Sequence, residues 1–189
     1  IILLGFGMSV VFIGFGHPAA GALGLIAALY HTLNHAVFKA LLFLGAGSIL
    51  HATGLRNLNS MGGLIHKMPH TAFYFLVGAL AISALPPLNG FVSEWLTFQT
   101  ALQAPILKNG VVRSLLPLFA ATLALAGALT AMCFVKVYGI AFLGRPRDTP
   151  HPAQAPEGDP IHDAGLMERF GMAWLAVGCL VLGLFPTSF

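Results

Sequence analysis

Five apolar segments divide the chain, and each is long enough to form all or part of a membrane-spanning helix. A helix rises about 1.5 Å per residue and needs about 20 apolar residues to cross a bilayer. The pattern therefore predicts an all-α fold, a polytopic transmembrane helical bundle. Because Ile1 already lies within an apolar run, we expect a piece of a longer protein rather than a signal peptide. The predicted spans are 1–16, 21–50, 70–102, 116–143 and 170–189.

The segment 70–102 is too long for one straight span, because a single helix of that length would measure about 50 Å. Two consecutive prolines interrupt it, and each removes a backbone donor and disfavours helix at the residue before it. We expect Asn89 to cap a second half-helix that starts near Phe91. The predicted helix break comprises Pro86, Pro87, Asn89 and Gly90.

The connections between the spans carry most of the charge and indicate the orientation of the chain. Connections 51–69 and 144–169 together hold five Lys and Arg residues, whereas 17–20 and 103–115 hold two. Positive residues concentrate in cytoplasmic loops, so we expect the first two connections to lie in the cytoplasm. The connection 144–169 contains five prolines and is predicted to be a Pro-rich cytoplasmic loop.

Composition excludes several classes of protein. Hydrophobic residues make up 57% of the 189 residues and charged residues 8%, against about 25% charged in soluble domains. So few charges cannot coat a water-facing surface, which argues against a soluble domain, a disordered chain or a nucleic-acid-binding protein. The two cysteines form no CxxC motif, so neither a disulfide framework nor an iron–sulfur ligand set is expected.

Three charged residues remain inside the predicted spans: Lys39, Glu94 and Lys136. A charge at the bilayer centre costs roughly 2.5–3.5 kcal/mol, so an ionisable residue at that depth is a functional hypothesis. Lys39 follows His31 and His35 at four-residue intervals, which puts three titratable groups along one helix face. Such a stripe predicts a proton relay. The alternative is that Lys39 pairs with a carboxylate and the histidines only bond neighbouring helices.

Glu94 is predicted to lie about one turn into the second half-helix. Broken helices at membrane depth lie inside protein or beside water cavities, and they form the ion sites of transporters. We therefore predict that Glu94 takes up and releases protons, the alternative being an ion pair with Lys39 or another lysine. Lys136 lies about 10 Å from the end of its span. Two roles are equally open for it: its long side chain extends to the membrane interface, or it takes part in proton transfer.

The pair His31 and His35 also has the spacing of metal ligands on one helix. The zinc-protease motif needs Glu after the first His, however, and Thr32 occupies that position. Two histidines on one helix face also cannot supply both axial ligands of one haem. We therefore expect no metal and no cofactor in this chain, and keep an intramembrane metalloprotein as the third hypothesis.

Four motifs resemble those of the antiporter-like subunits of respiratory complex I and its relatives. Together they are most similar to the large antiporter-like membrane subunit of the hydrogenase-4 and formate hydrogenlyase complexes. The resemblance covers nearly the whole chain and is specific in 28–103 and 124–147. The motifs are HTLNHAVFKALLFLGAGS at 31–48, GGL at 62–64, ALPPLNGFVSEW at 84–95 and KVYGIAFLG at 136–144.

This resemblance implies a bundle of about fourteen core helices with two inverted repeats, each containing a broken helix. It assigns the chain to part of the second repeat and the helices after it. The family's relay helix then corresponds to 21–50, and its second broken helix to 70–102. The functional position of that broken helix falls on Glu94, where relatives carry Lys or Glu. His31, His35 and Lys39 fall on the matching relay positions.

The resemblance also implies a function: a proton-translocating membrane subunit of a complex-I-like, nickel–iron hydrogenase-linked oxidoreductase. The chain would carry no redox centre of its own, with nickel–iron and iron–sulfur centres in partner subunits. Expected partners are other membrane subunits, a peripheral hydrogenase arm and the lipid bilayer, without nucleic acid. The expected location is the cytoplasmic membrane of a bacterium or archaeon. The alternatives are a Na⁺/H⁺ antiporter subunit, the intramembrane metalloprotein and a scaffolding anchor.

Overall fold

The computed structural model describes residues 1–145 and 161–186. Within them the chain forms six α-helices and three short 3₁₀ helices and contains no strand, which confirms the predicted all-α class. The 3₁₀ helices lie in the connections before α3 and α5. The α-helices are α1 (Ile2–Gly14), α2 (Pro18–Thr53), α3 (Pro69–Ile82), α4 (Asn89–Ala101), α5 (Gly110–Phe142) and α6 (Leu166–Leu184).

Three of these helices, α2, α5 and α6, are long and apolar enough to cross a membrane. Helix α2 has 36 residues and is unbroken, so it is about 54 Å long. Pro18 occupies its first turn, where no intrahelical donor is lost, and Gly54 ends it in the left-handed conformation. Helices α1 and α3 are shorter apolar helices.

The two halves of the broken segment, α3 and α4, pack along α2 in the opposite direction. Near the end of α2, a Cβ placed on Gly45 would lie 2.9 Å from the ring of Phe75 in α3. Near its start, a Cβ on Gly24 would lie 3.2 Å from Thr100 in α4. Helices α3 and α4 therefore run antiparallel to α2, and the break lies beside the middle of α2.

Helix α5 begins earlier than the hydrophobic pattern predicts. The side chain of Asn109 accepts hydrogen bonds from the backbone N–H groups of Val111 and Val112, each at 3.1 Å. This N-cap starts the helix at Gly110 rather than 116 and places Arg113 in the first turn instead of a loop. A polar cap and a charged first turn extend the helix beyond its apolar stretch.

The connections 51–69 and 144–169 lie at the same end of the bundle, where each contacts a residue that borders the other. The backbone N–H of Gly63 donates to the carbonyl of Leu143 at 3.1 Å. Asp163, just before α6, accepts from the backbone of His70 in the first turn of α3 at 2.9 Å. These contacts agree with the expectation that alternate connections share a side. The Pro-rich stretch 146–160 of the second connection lies outside the described residues.

Candidate functional site

The site is built around the interruption between α3 and α4. Helix α3 ends at Ile82 and α4 begins at Asn89, with the two prolines between them. Glycine is required immediately after the break, because a Cβ on Gly90 would overlap the carbonyl oxygen of Ala81. The two half-helices therefore approach each other more closely than any other residue at position 90 would permit.

Asn89 does not cap the second half-helix, so that expectation is wrong. It is the first residue of α4, Leu88 occupies the cap position, and no side-chain cap bond forms there. The Asn89 side chain instead donates to Oδ1 of Asn34 at 3.3 Å and to its carbonyl at 3.4 Å. Asn34 Nδ2 donates back to the carbonyl of Asn89 at 3.0 Å. The amide is thus used to join α4 to α2 rather than to cap α4.

The pair is fully buried, and one of its polar atoms lacks a partner. Both Asn34 and Asn89 are 0% exposed. Oδ1 of Asn89 has no hydrogen-bond donor among the described residues. An unpaired buried acceptor is costly, so the break is a place where the polar groups of the bundle are incompletely satisfied.

His31 bonds to α4 one turn beyond the Asn34–Asn89 pair. Its Nδ1 lies 2.8 Å from the hydroxyl oxygen of Ser93, and both side chains are buried. The Ser93 hydroxyl also lies 3.2 Å from the carbonyl of Gly90, so it can donate to the carbonyl or to the imidazole. A hydroxyl that both donates and accepts can pass a proton between its neighbours.

One face of α4 is polar along its whole length and packs inward. Its members are all at most 1% exposed and recur at helical spacing: Asn89, Ser93, Thr97 and Thr100. Beyond Asn89, sequence reasoning missed this face because it followed the charged residues. Four polar residues at i, i+4, i+8 and i+11 in a membrane segment are the signal that could have revealed it.

Glu94 lies on α4 next to Ser93 and points toward α5. It is 9% exposed, and its carboxylate has no hydrogen bond or ion pair among the described residues. A cavity of about 320 Å³ adjoins it, lined by the turn after α3, by aromatic residues of α4 and by small residues of α5. A buried, unpaired carboxyl group beside a cavity can exchange a proton with water held there.

The predicted relay residues of α2 differ in their surroundings. The ring centroids of His31 and His35 are 6.1 Å apart, and both rings contact Phe38. His35 is exposed in this chain and Lys39 is half-buried. Lys39 forms no ion pair within the described part of the chain, so the alternative in which it pairs with Glu94 is not realised there.

Lys136 lies apart from the other candidates, exposed on α5. It makes no hydrogen bond or ion pair with another described residue. Nor does any group of three or more His, Cys, Asp or Glu side chains within residues 1–145 and 161–186 have an arrangement that could hold a metal ion. The described candidates therefore centre on α2 and α4.

Helix α6 also packs against the break. The Tyr30 hydroxyl donates to the carbonyl of Leu182, and a Cβ on Gly183 would overlap the carbonyl oxygen of Pro87. An apolar cluster surrounds this contact. It consists of Phe38, Leu41, Ala81, Leu88, Ala164, Met172, Ala176 and Cys179. Leu88, Asn89 and Gly90, at the end of the break, are thereby enclosed by protein, whereas Leu85, Pro86 and Pro87 are exposed in this chain.

A second polar cluster, which sequence reasoning also missed, anchors the start of α3. Asp163 accepts hydrogen bonds from the backbone of His70 at 2.9 Å, the hydroxyl of Thr71 at 2.6 Å and the backbone of Ala164 at 2.8 Å. Arg169 lies 3.8 Å away. Burial alone raises the pKa of Asp163, but the hydrogen bonds outweigh it and lower the pKa to about 2. The carboxylate caps α3 from a distant part of the chain.

Residues 7–116 match the family described as NADH:quinone oxidoreductase/Mrp antiporter, TM. The match includes α2, the break and α4, and therefore His31, His35, Lys39 and Glu94. This chain belongs to that family and is a multi-pass membrane protein.

Three known proteins show how the chain relates to the family. It is 44% identical over 183 residues to formate hydrogenlyase subunit 3 of Escherichia coli, which covers 97% of the chain and 29% of the relative. It is 46% identical over 157 residues to hydrogenase-4 component B of Escherichia coli, and this match covers 83% of the chain and 23% of the relative. The chain superimposes on the structure of the Mrp complex from a Dietzia species with a TM-score of 0.65 at 24% identity. This superposition covers 89% of the chain and 37% of the matched Mrp chain.

These comparisons confirm the resemblance to antiporter-like membrane subunits and the helical fold. The chain spans less than a third of the length of the two curated relatives. By their names, these proteins are components of multi-subunit assemblies.

Proposed function

We propose that the chain is part of a proton-translocating membrane subunit of a complex-I-like, nickel–iron hydrogenase-linked complex of the formate hydrogenlyase or hydrogenase-4 type. Support comes from membership of the family and from the identity of 44% and 46% to subunits of those two assemblies. The observation that carries the proposal is Glu94, a buried carboxyl group without a partner among the described residues, beside a cavity one turn after a helix break.

The proposed path uses groups of α2 and α4 that can each bind a proton. Lys39 and His35 deliver protons to His31, and the Ser93 hydroxyl accepts a proton from the imidazole as it releases its own proton toward the Glu94 side of α4. Ser93 and Glu94 are consecutive on α4, so their side chains leave the helix about 100° apart. Water in the cavity would join the path to the Glu94 carboxyl group, which exchanges protons with the far side of the membrane.

The whole protein would act within a larger assembly. Its partners would be other membrane subunits and a peripheral hydrogenase arm, with the nickel–iron and iron–sulfur centres in those partners. The membrane would be the cytoplasmic membrane of a bacterium or archaeon. The connections 51–69 and 144–169, which lie at the same end of the bundle, would face the cytoplasm according to their positive charge.

A cation/proton antiporter subunit is the second candidate, because the family description names the Mrp antiporter and the Mrp complex shares the fold. The two functions differ in what drives proton movement across the membrane. In a hydrogenase-linked complex proton movement depends on electron transfer, whereas in an antiporter it depends on a gradient of Na⁺ or another cation.

The test uses the full-length subunit in its native complex, in inverted membrane vesicles. Lys39→Gln and Glu94→Gln should abolish acidification driven by formate or hydrogen turnover. Hydrogenase activity with an artificial electron acceptor should persist in both variants, which would show that the complex is assembled. Lys108→Gln, at an exposed position outside the helices, is the matched control and should acidify normally.

Undiminished acidification in either Lys39→Gln or Glu94→Gln would refute the proposed path. Acidification that requires added Na⁺ and continues without electron donors would favour the antiporter. Undiminished acidification in both variants would favour a scaffolding anchor instead.

A further inference from the structure

Glu94 faces one side of α5, where the residues that line the cavity all have small side chains. Ala124, Gly127 and Ala128 line the cavity beside Glu94, and they lie three and four residues apart on one face of the helix. The carboxylate is aimed at the middle of this face. An ideal Cβ on Gly127 would lie 3.2 Å from Oε1 of Glu94 and 4.0 Å from its carboxyl carbon.

The Glu94 carboxyl group lies against the space that a side chain at position 127 would occupy. Within the described residues the carboxylate has no hydrogen bond or ion pair to hold it, so its position depends on the walls around it. A contact of 3.2 Å would require the carboxylate to move away, and the flexible end of a glutamate side chain can do so without unfolding the helix pair. Substitution at Gly127 should therefore act on the Glu94 carboxyl group before it acts on stability.

The cavity is large enough to hold water molecules beside the Glu94 carboxyl group. Its volume is about 320 Å³, and Ser83, at the end of α3, contributes a hydroxyl on the opposite side of the break. A cavity that holds water must be roomy and must offer several polar groups. Here Glu94 and Ser83 carry such groups, and the rest of the wall is formed by Phe91, Trp95 and Phe98 of α4, by Ala84 and by the small residues of α5.

We propose that Gly127 is a positioning residue of the Glu94 site, where the lack of a side chain leaves room for the carboxyl group and for the water that exchanges protons with it. The inference rests on the proposed function in assigning proton exchange to Glu94. It adds a residue of α5, beyond residue 116, where the family match ends.

Carbodiimide labelling measures the accessibility of the site directly. A hydrophobic carbodiimide adds to a protonated carboxyl group that it can reach from the membrane, and the N-acylurea formed is detected by mass spectrometry of the peptide that contains Glu94. The full-length subunit in its native complex would be labelled in membrane vesicles. The variants are Gly127→Ala and Gly127→Val, compared with Gly139→Ala and Gly139→Val, because a Cβ on Gly139 of the same helix meets nothing within 4 Å.

Labelling of Glu94 should slow by roughly tenfold in Gly127→Val, with a smaller decrease in Gly127→Ala. The two Gly139 variants should label at the wild-type rate. Proton translocation should fall in Gly127→Val and recover in part in Gly127→Val with Glu94→Asp, because the shorter side chain withdraws the carboxyl group by one methylene. A general packing defect would not be relieved by that change.

Equal labelling rates in wild type and Gly127→Val would overturn the inference, and so would equal slowing in the Gly139 variants. Failure of the proposed function has a different outcome. If Glu94→Gln translocates protons normally while Gly127→Val still blocks labelling, the cavity assignment stands and the role of Glu94 in transport does not.

Discussion

Asn34 and Asn89 are joined by hydrogen bonds in both directions, from the middle of α2 to the first residue of α4. Asn34 Nδ2 donates to the carbonyl of Asn89 at 3.0 Å, and Asn89 Nδ2 donates to Oδ1 of Asn34 at 3.3 Å. The bonds fix the second half-helix against α2 at the break itself. The side chains that follow, Ser93 and Glu94, take their positions from this attachment.

Asn34→Ala should destabilise the bundle, because it removes one donor to the carbonyl of Asn89 and leaves buried polar groups without partners. The expected loss is about 1–3 kcal/mol. The thermal unfolding midpoint of the full-length subunit in detergent would measure it. Gln103→Ala, at an exposed position after α4, is the control and should leave the midpoint unchanged. A midpoint in Asn34→Ala equal to that of the control would show that the pair contributes nothing.

Ser93→Ala should lower the rate of proton translocation, because it removes the hydroxyl that lies 2.8 Å from His31. A decrease of about 10²-fold is expected for the loss of one proton-transfer group. Ser93→Thr retains a hydroxyl and should recover part of the rate. Thr97→Val removes a hydroxyl from the same face of α4 without touching His31 and should translocate normally. Equal effects of Ser93→Ala and Thr97→Val would contradict a specific role for Ser93.

Asp163 should make stability depend on pH at the acidic end of the range. Its pKa is about 2 in the folded chain, below the ordinary value of about 3.9. A lowered pKa stabilises the fold above the ordinary value, and this contribution is lost as the pH falls from about 4 toward 2. The unfolding midpoint should therefore fall more steeply in wild type than in Asp163→Asn over this window. Parallel pH profiles of the two proteins would refute the capping role.

Two neighbouring glycines of α2 should respond differently to a large side chain. A Cβ on Gly45 would lie 2.9 Å from the Phe75 ring, whereas a Cβ on Gly47 meets nothing within 4 Å. Gly45→Leu should force α2 and α3 apart and cost about 1–3 kcal/mol of stability, while Gly47→Leu should be nearly neutral. Unfolding midpoints of the two variants would compare them, and equal midpoints would contradict the close packing at Gly45.

The features that local chemistry determines are the ones the sequence predicts well. Consecutive prolines exclude a continuous helix whatever surrounds them, so a break at 86–87 is expected from covalent geometry alone. The helical class follows in the same way from long apolar runs. The start of α5 is harder to predict from the apolar pattern, because the cap at Asn109 begins the helix before its apolar stretch.

The contacts that depend on register between distant segments could not be predicted. Asn89 has the chemistry of a helix cap, yet it bonds to a residue 55 positions earlier. Asp163 caps a helix 92 positions away, which requires α3 and the start of α6 to meet at one end of the bundle. Gly127 is one glycine among 22, and only the position of Glu94 across the helix interface distinguishes it.

The number of protons moved per hydrogen formed tests the central claim most directly. In vesicles that contain the intact complex, the ratio would be measured for wild type and for Glu94→Gln under the same turnover. The account predicts a ratio close to zero in Glu94→Gln, together with normal hydrogenase activity toward an artificial electron acceptor. An unchanged ratio in Glu94→Gln would contradict it.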